Sequence, residues 1–255
     1  MDDWSCSDKV TQANDFRMLC LDLTLTSIEE NLACDEALLL EAEAGRQPEI
    51  LRFWEWPQFA VVLGAGSRLS EDVDEEACRA AGVPIVRRSS GGGTVLLGSG
   101  CLCFTLVLDT VERPALTKIG SSYRYILERM ARALDQVLPA IGLAGTSDLA
   151  SLGRKFSGNA QQRKRRFLLH HGTLLYVFEL TKIASLLRAP ARQPEYRKQR
   201  NHDQFLVNMP TNASDLRRWL IEAWQANNHF TQWPKDETLR LVREKYSQVS
   251  WNRRR

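Results

Sequence analysis

The run Val83-Pro84-Ile85-Val86-Arg87-Arg88-Ser89-Ser90-Gly91-Gly92-Gly93-Thr94-Val95-Leu96-Leu97 dominates this 255-residue chain. Three successive glycines follow one strand-like run and precede another. Without a Cβ, glycine lets main-chain N–H groups come very close to a ligand and permits positive φ. Arg87 and Arg88 add guanidinium donors suited to phosphate or carboxylate oxygens. The stretch reads either as a plain turn between strands or as a loop shaped for a narrow anionic ligand. It matches neither G-x-x-x-x-G-K-[ST], since no Lys follows Gly93, nor G-x-G-x-x-G.

On its N-terminal side the pattern predicts a helix over 28–44, with Ser27 and Glu30 spaced as a capping box and Gly45 as the stop. Two strands follow at 50–54 and 59–63, then a flexible loop at 64–67 and a short helix at 71–81. On the C-terminal side an apolar strand is expected at 101–108 and an amphipathic helix at 118–138. A hairpin is expected from 153–160 and 167–178, then helices at 181–187, 213–227 and 236–247. Pro190, Pro194 and Pro210 punctuate an irregular stretch, and the tail Arg253-Arg254-Arg255 reads as frayed. The expected fold class is α/β (α+β): a mixed β-sheet flanked by helices, in one domain.

Composition narrows the function classes. Hydrophobic residues make up 44% and charged residues 25% of the chain, as in ordinary globular proteins. A formal charge of +3 is too small to argue for nucleic acid by itself. No apolar run approaches the roughly 18 to 20 residues of a membrane span. The acidic start Met1-Asp2-Asp3-Trp4 lacks a signal-peptide pattern, so the expected location is cytoplasmic. The six cysteines, Cys6, Cys20, Cys34, Cys78, Cys101 and Cys103, are scattered and read as reduced thiols. Cys101 and Cys103 would share one strand face, but no His lies near them, and no metal site is expected in the protein.

A second concentration of chemistry is Arg154-Lys155-Phe156-Ser157-Gly158-Asn159-Ala160. Lys155 and Phe156 alternate, so one points to the core and the other away. His170-His171-Gly172-Thr173 lies at the hairpin's return, and its two adjacent histidines face opposite sides of a strand. The basic run Arg163-Lys164-Arg165-Arg166 falls in the hairpin turn, as a solvated turn or a docking patch.

Together these motifs resemble the biotin/lipoate A/B protein ligase family, in particular lipoate–protein ligase A. Arg87–Thr94, preceded by the Gly64 loop, resembles the family's signature loop. Lys155–Ala160 resembles its lysine motif, His171–Leu175 the strand that follows, and Asn31–Leu38 its opening helix. The four occur in family order over residues 28–180. The resemblance implies a catalytic domain related to class II aminoacyl-tRNA synthetases and biotin ligases. It implies a single such domain over 1–255 (core about 28–230) without the C-terminal accessory domain of full ligases. It also implies attachment of lipoate, through lipoyl-AMP, to a lysine of a lipoyl carrier domain of a 2-oxoacid dehydrogenase or glycine-cleavage protein. ATP with Mg2+ would serve adenylation, and a separate accessory subunit could assist.

By that resemblance Lys155 would stabilise charge developing on oxygen during attack. Arg88, Ser90, Gly91, Gly92 and Gly93 would hold the acyl-phosphate region, and Asp148 would face the nucleotide. Ser157, Gly158, Asn159, His171, Gly172 and Thr173 would complete the substrate site. Octanoyltransferase branches of the family use a nucleophilic cysteine. Phe167–Leu169 and Gly145–Asp148 occupy its two family positions here. That favours a ligase or lipoyltransferase. An octanoyltransferase using octanoyl carrier protein and a non-catalytic acyl- or adenylate-binding protein remain the alternatives. A family histidine after the glycines is replaced by Leu97 or a neighbour.

Overall fold

The computed structural model describes residues 18–189 and 193–255. Met1–Trp4, Cys6 and Pro190 lie outside the described residues. In chain order the first half runs β1 (Leu19–Asp22), α1 (Ile28–Glu43), β2 (Ile50–Glu55), β3 (Ala60–Leu63), α2 (Leu69–Asp72), α3 (Glu75–Ala80), β4 (Ile85–Arg87), β5 (Val95–Leu97) and β6 (Cys101–Asp109). Then come α4 (Ile119–Leu134), β7 (Ile141–Ala144), β8 (Asp148–Ser151), β9 (Arg154–Arg163) and β10 (Phe167–Leu175). The rest is α5 (Thr181–Leu186), α6 (His202–Phe205), α7 (Ala213–Trp224), β11 (Asn228–His229), α8 (Lys235–Leu241) and α9 (Val249–Asn252), with a wide helical turn at Val242–Tyr246.

The strands form two sheets, not one. An eight-stranded mixed sheet has the order β11-β1-β2-β6-β10-β9-β8-β7, and a three-stranded sheet has the order β4-β3-β5. The runs on either side of the glycines therefore do not pair with each other. Both pair with β3, β4 in parallel and β5 antiparallel. The strands expected at 50–54 and 59–63 likewise end in different sheets. This geometry hangs the glycine loop as a flap between two edge strands, above the large sheet.

The core divides accordingly. On one face of the large sheet, α4 and α7 seal Phe53, Phe104, Phe156 and Leu168. On the other, α1 and the small sheet enclose Leu32, Trp54, Val62, Leu97 and Cys103. The capping box of α1 forms as expected: the Glu30 amide donates to Ser27 Oγ at 3.1 Å, and Glu30 accepts from the Ser27 amide at 3.1 Å.

Two expectations need correction. The 64–67 loop is pinned, not flexible: the Ala65 amide donates to Ser90 O at 2.8 Å, and the Ser67 amide donates to Gly64 O at 3.1 Å. The tail is docked, not frayed. Arg253 pairs with Glu75 at 2.8 Å, and Arg254 stacks 4.0 Å from the centre of the Trp251 ring. The counter-charge, Glu75, comes from far away in sequence, which local patterning does not reveal. Strands β1, β7, β8 and β11, not anticipated, complete the large sheet at its two edges.

Candidate active site

Opposed residues on paired strands share a face, so register alone assembles the floor of the site. One row across the large sheet is Arg52, Thr105, His171 and Ala160; the next is Trp54, Cys103, Thr173 and Gly158. While Arg52 lies under α1, His171 and Ala160 of the first row and all four residues of the second line a cavity of about 540 Å³. Its apolar part is walled by Leu32, Trp54, Val62, Leu96, Leu97 and Cys103. Its polar part is walled by Arg88, Asp148, Lys155, His171 and the turn at Thr146–Ser147. Trp54 Nε1 is buried there without a hydrogen-bond partner.

Lys155 reaches this cavity because of a β-bulge. Leu149 pairs with Ser157 and Ala150 with Lys155, so Phe156 is an extra residue with no partner on β8. The bulge re-aims the strand. Phe156 sinks fully into the α4/α7 core, while Lys155 lines the cavity. Lys155 Nζ lies 2.8 Å from Asp148 Oδ1. Gly158 keeps room for it: a Cβ there would sit 2.8 Å from Nζ.

The glycine loop is held from behind. The Arg88 guanidinium donates to Gly91 O at 2.6 Å, Gly93 O at 2.8 Å, Ser90 Oγ at 3.0 Å and Val62 O at 3.2 Å. Burial pushes its pKa down to about 10, which leaves it protonated at neutral pH. With carbonyls turned toward Arg88, the amides of Gly91, Gly92 and Gly93 find no protein acceptor among the described residues. Gly92 has φ +84°, and its carbonyl oxygen lies 2.0 Å from where a Cβ on Gly64 would be. Only glycine fits at either place.

A buried polar chain continues from the loop into the core. Ser90 Oγ lies 2.5 Å from His171 Nε2, and His171 Nδ1 lies 3.3 Å from Asp35 Oδ2. Asp35 Oδ1 accepts from Arg52 at 2.6 Å, with both side chains almost fully buried. Burial alone would raise the Asp35 pKa, but the Arg52 charge and the His171 hydrogen bond hold it below the usual carboxylate range. His170 faces the opposite way, packs between Phe104 and Tyr123, and is pushed down to about 3 by burial, hence neutral.

Of the residues singled out from sequence, Arg88, Gly92, Gly93, Asp148, Lys155, Ser157, Gly158, Asn159, His171, Gly172 and Thr173 line this one cavity. Ser90 and Gly91 stand behind it, as partners of His171 and Arg88. Sequence reasoning missed Asp35, Trp54 and the segment at 193–206. Asp35 carried a signal: Asn31 and Asp35 are polar residues four apart on the buried side of α1. Cys103 lines the cavity, but burial first, then the neighbouring Cys101, raises its thiol pKa well above normal. Among the described residues no group of three or more His, Cys, Asp or Glu side chains could hold a metal ion. No helix among them is long and apolar enough to cross a membrane.

The two-layered fold thus sets an apolar slot, a lysine and a glycine loop around one cavity. The match to the lipoyl protein ligase A/B catalytic domain over residues 27–225 makes the chain a member of that family. It is 31% identical over 179 residues to an octanoyltransferase of Carboxydothermus hydrogenoformans, covering 62% of this chain and 65% of that one. It is 29% identical over 157 residues to a Mycoplasma pneumoniae protein described as a "probable lipoate-protein ligase A", covering 62% and 45%. The chain thus spans less than two thirds of the length of either relative. Its fold is similar to that of a bipartite lipoate protein ligase from Thermoplasma acidophilum, with a TM-score of 0.78, 22% identity and 93% and 96% of the chains covered. A lipoate–protein ligase A crystallised with ATP has a TM-score of 0.75 at 23% identity, covering 93% and 98%.

Proposed function

We propose that this chain is a lipoate–protein ligase or lipoyltransferase that passes a lipoyl group from lipoyl-AMP to a lysine of a lipoyl carrier domain. The described residues act as one catalytic domain. The observation that carries the reading is the placement of Lys155. It lines the same cavity as the apolar residues Trp54, Leu97 and Cys103, the loop glycines Gly92 and Gly93, and Asp148. The acyl chain would lie along Trp54, Leu97 and Cys103, with its carbonyl at Lys155. The adenylate would lie toward Asp148 and Thr146–Ser147.

In that pose the carrier lysine's amine attacks the acyl carbonyl carbon. A C–N bond forms, the C–O bond to the phosphate breaks, and AMP leaves. The Lys155 ammonium stabilises the negative charge on the carbonyl oxygen and the departing phosphate. A fixed donor of this kind contributes on the order of a hundred- to a thousand-fold in rate. Arg88 acts through the loop: it holds the Gly91 and Gly93 carbonyls, which turns the amides of the following residues, Gly92 and Thr94, the other way and leaves them for the anion. Ser90 and His171 hold the loop to the sheet, and Ser157, Asn159, Gly172 and Thr173 shape the floor. The chemistry needs no protein thiol, in keeping with the suppressed acidity of Cys103. ATP with Mg2+ would be used if adenylation also occurs on this chain. The metal would then arrive with the phosphates, since the described residues offer it no cluster of ligands, and no step here runs through it. Carriers from a 2-oxoacid dehydrogenase or the glycine-cleavage system are the proposed acceptors, with a separate accessory subunit for adenylation.

Octanoyl transfer from a carrier protein is the second reading, favoured by the similarity to an octanoyltransferase. Donor choice separates the two. Incubation of the protein and an apo-lipoyl domain with lipoyl-AMP, lipoate plus ATP, or octanoyl carrier protein is followed by intact mass. A lipoyl mass increment from lipoyl-AMP is expected. An octanoyl increment from octanoyl carrier protein alone would replace the first reading with the second.

A further inference from the structure

The segment Pro194–Val207 crosses the polar end of the cavity as a strap and is fastened around Lys155. The Val207 amide donates to Lys155 O at 3.0 Å, and Leu206 forms a parallel bridge with Lys155. Arg154 donates to Leu206 O at 2.6 Å, and Arg200 to Gly153 O at 2.7 Å. At its near end Tyr196 turns inward. Its ring packs on Phe205 with centroids 5.2 Å apart, and Arg200 donates to its carbonyl at 2.9 Å. Its hydroxyl then donates to Asp148 Oδ2 at 2.7 Å, while Asp148 Oδ1 accepts from Lys155 at 2.8 Å.

The two oxygens of one nearly buried carboxylate are therefore divided between two partners. Asp148 sits on β8, opposite Gly158, and can rotate about its side-chain bonds unless something holds it. With Oδ2 capped by Tyr196, only Oδ1 is available to Lys155. Without the cap, the carboxylate is free to swing into the cavity, where its charge would oppose an incoming phosphate, and the lysine would lose its anchor. Tyr196 is not among the residues lining the cavity, and its hydroxyl reaches the site through Asp148.

We propose that Tyr196 is a positioning residue for Lys155, acting through the Asp148 carboxylate. The kinetic part of its test rests on the functional reading above; the chemical part does not. Four proteins are compared: wild type, Tyr196→Phe, Asp148→Asn and the double variant. Phenylalanine keeps the packing on Phe205, and Asp148→Ala serves as a second background if Asp148→Asn does not fold. The first readout is acetylation of Lys155 by an N-hydroxysuccinimide ester at fixed pH, measured by peptide mass spectrometry against the other lysines. Tyr196→Phe is expected to speed labelling of Lys155 several-fold, and to add nothing once Asp148 is replaced. The second readout is transfer from lipoyl-AMP. A fall of about tenfold in kcat with KM for the acceptor domain unchanged is expected in Tyr196→Phe, again absent in the Asp148 background. Unchanged Lys155 labelling in Tyr196→Phe, or effects that multiply in the double variant, would overturn the assignment. Failure of all four proteins to transfer an acyl group would refute the functional reading and leave the labelling result to decide for Tyr196.

Discussion

At the residue scale, the site depends on places where one atom more or one charge fewer is not tolerated. A methyl on Gly64 would collide with the backbone oxygen of Gly92 at 2.0 Å, and neither partner is a movable side chain. Gly64→Ala is expected to cost about 1–3 kcal/mol, the usual range for overpacking. Scanning calorimetry should show a lower Tm. The Arg52–Asp35 pair is a harsher case. Arg52→Met leaves the Asp35 carboxylate buried and uncompensated, an error that costs about 3–5 kcal/mol; urea unfolding at neutral pH measures it. These residues also mark the limits of sequence. Lys155, Gly92 and His171 were legible because their neighbours form recognisable runs. Trp54 and Tyr196 were not, since each joins the site through register or a strap that no local pattern encodes, and Asp35 showed only in its spacing of four from Asn31. Ser90, read as a substrate contact, has its hydroxyl 2.5 Å from His171 Nε2.

At the scale of elements, the glycine loop is only as rigid as β4, and β4 is held by the far end of the chain. The Arg87 amide donates to Asn252 Oδ1 at 2.9 Å, and Trp251 Nε1 donates to Arg87 O at 2.9 Å. The buried Arg87 guanidinium spans from Gly64 O and Ser67 O to Asn252 O. Thus α9 covers the edge of β4 that faces away from β3 and would otherwise be open. Asn252→Ala removes the acceptor of a buried amide, a loss of about 1–3 kcal/mol. Hydrogen exchange should quicken across Val86–Gly93 while β6 and β10 stay protected. The hairpin β9–β10 and helices α1, α4 and α7 could be read from periodicity. The strands β1, β7, β8 and β11, of two to four residues each, were not read. The bulge at Phe156 was equally hidden: alternation placed Lys155 and Phe156 on opposite sides, but not the reason that Lys155 takes the cavity side.

At the scale of the molecule, the two sheets and their helices make acid stability a matter of buried groups. His170 is neutral in the fold with its pKa near 3, against about 6.5 when unfolded. Between those values the unfolded chain binds a proton that the native chain does not, so stability falls as pH falls. The slope from this group is about 1 kcal/mol per pH unit. Asp35 acts in the same direction at lower pH: its folded pKa is depressed, so its contribution is lost as pH drops through that value. His170→Gln should show a shallower decline of calorimetric stability between pH 6 and pH 4 than the wild type. The same architecture brings the glycine loop, the apolar slot and Lys155 together, and acyl transfer through that lysine can be read directly from the acceptor. Apo-lipoyl domain is incubated with lipoyl-AMP and either wild type or Lys155→Ala, and its intact mass is followed in time. A lipoyl increment with wild type, slowed on the order of a hundredfold or more in Lys155→Ala, is the expected result. Equal rates from the two proteins would contradict the role given to Lys155, and no increment with either would contradict the transfer itself.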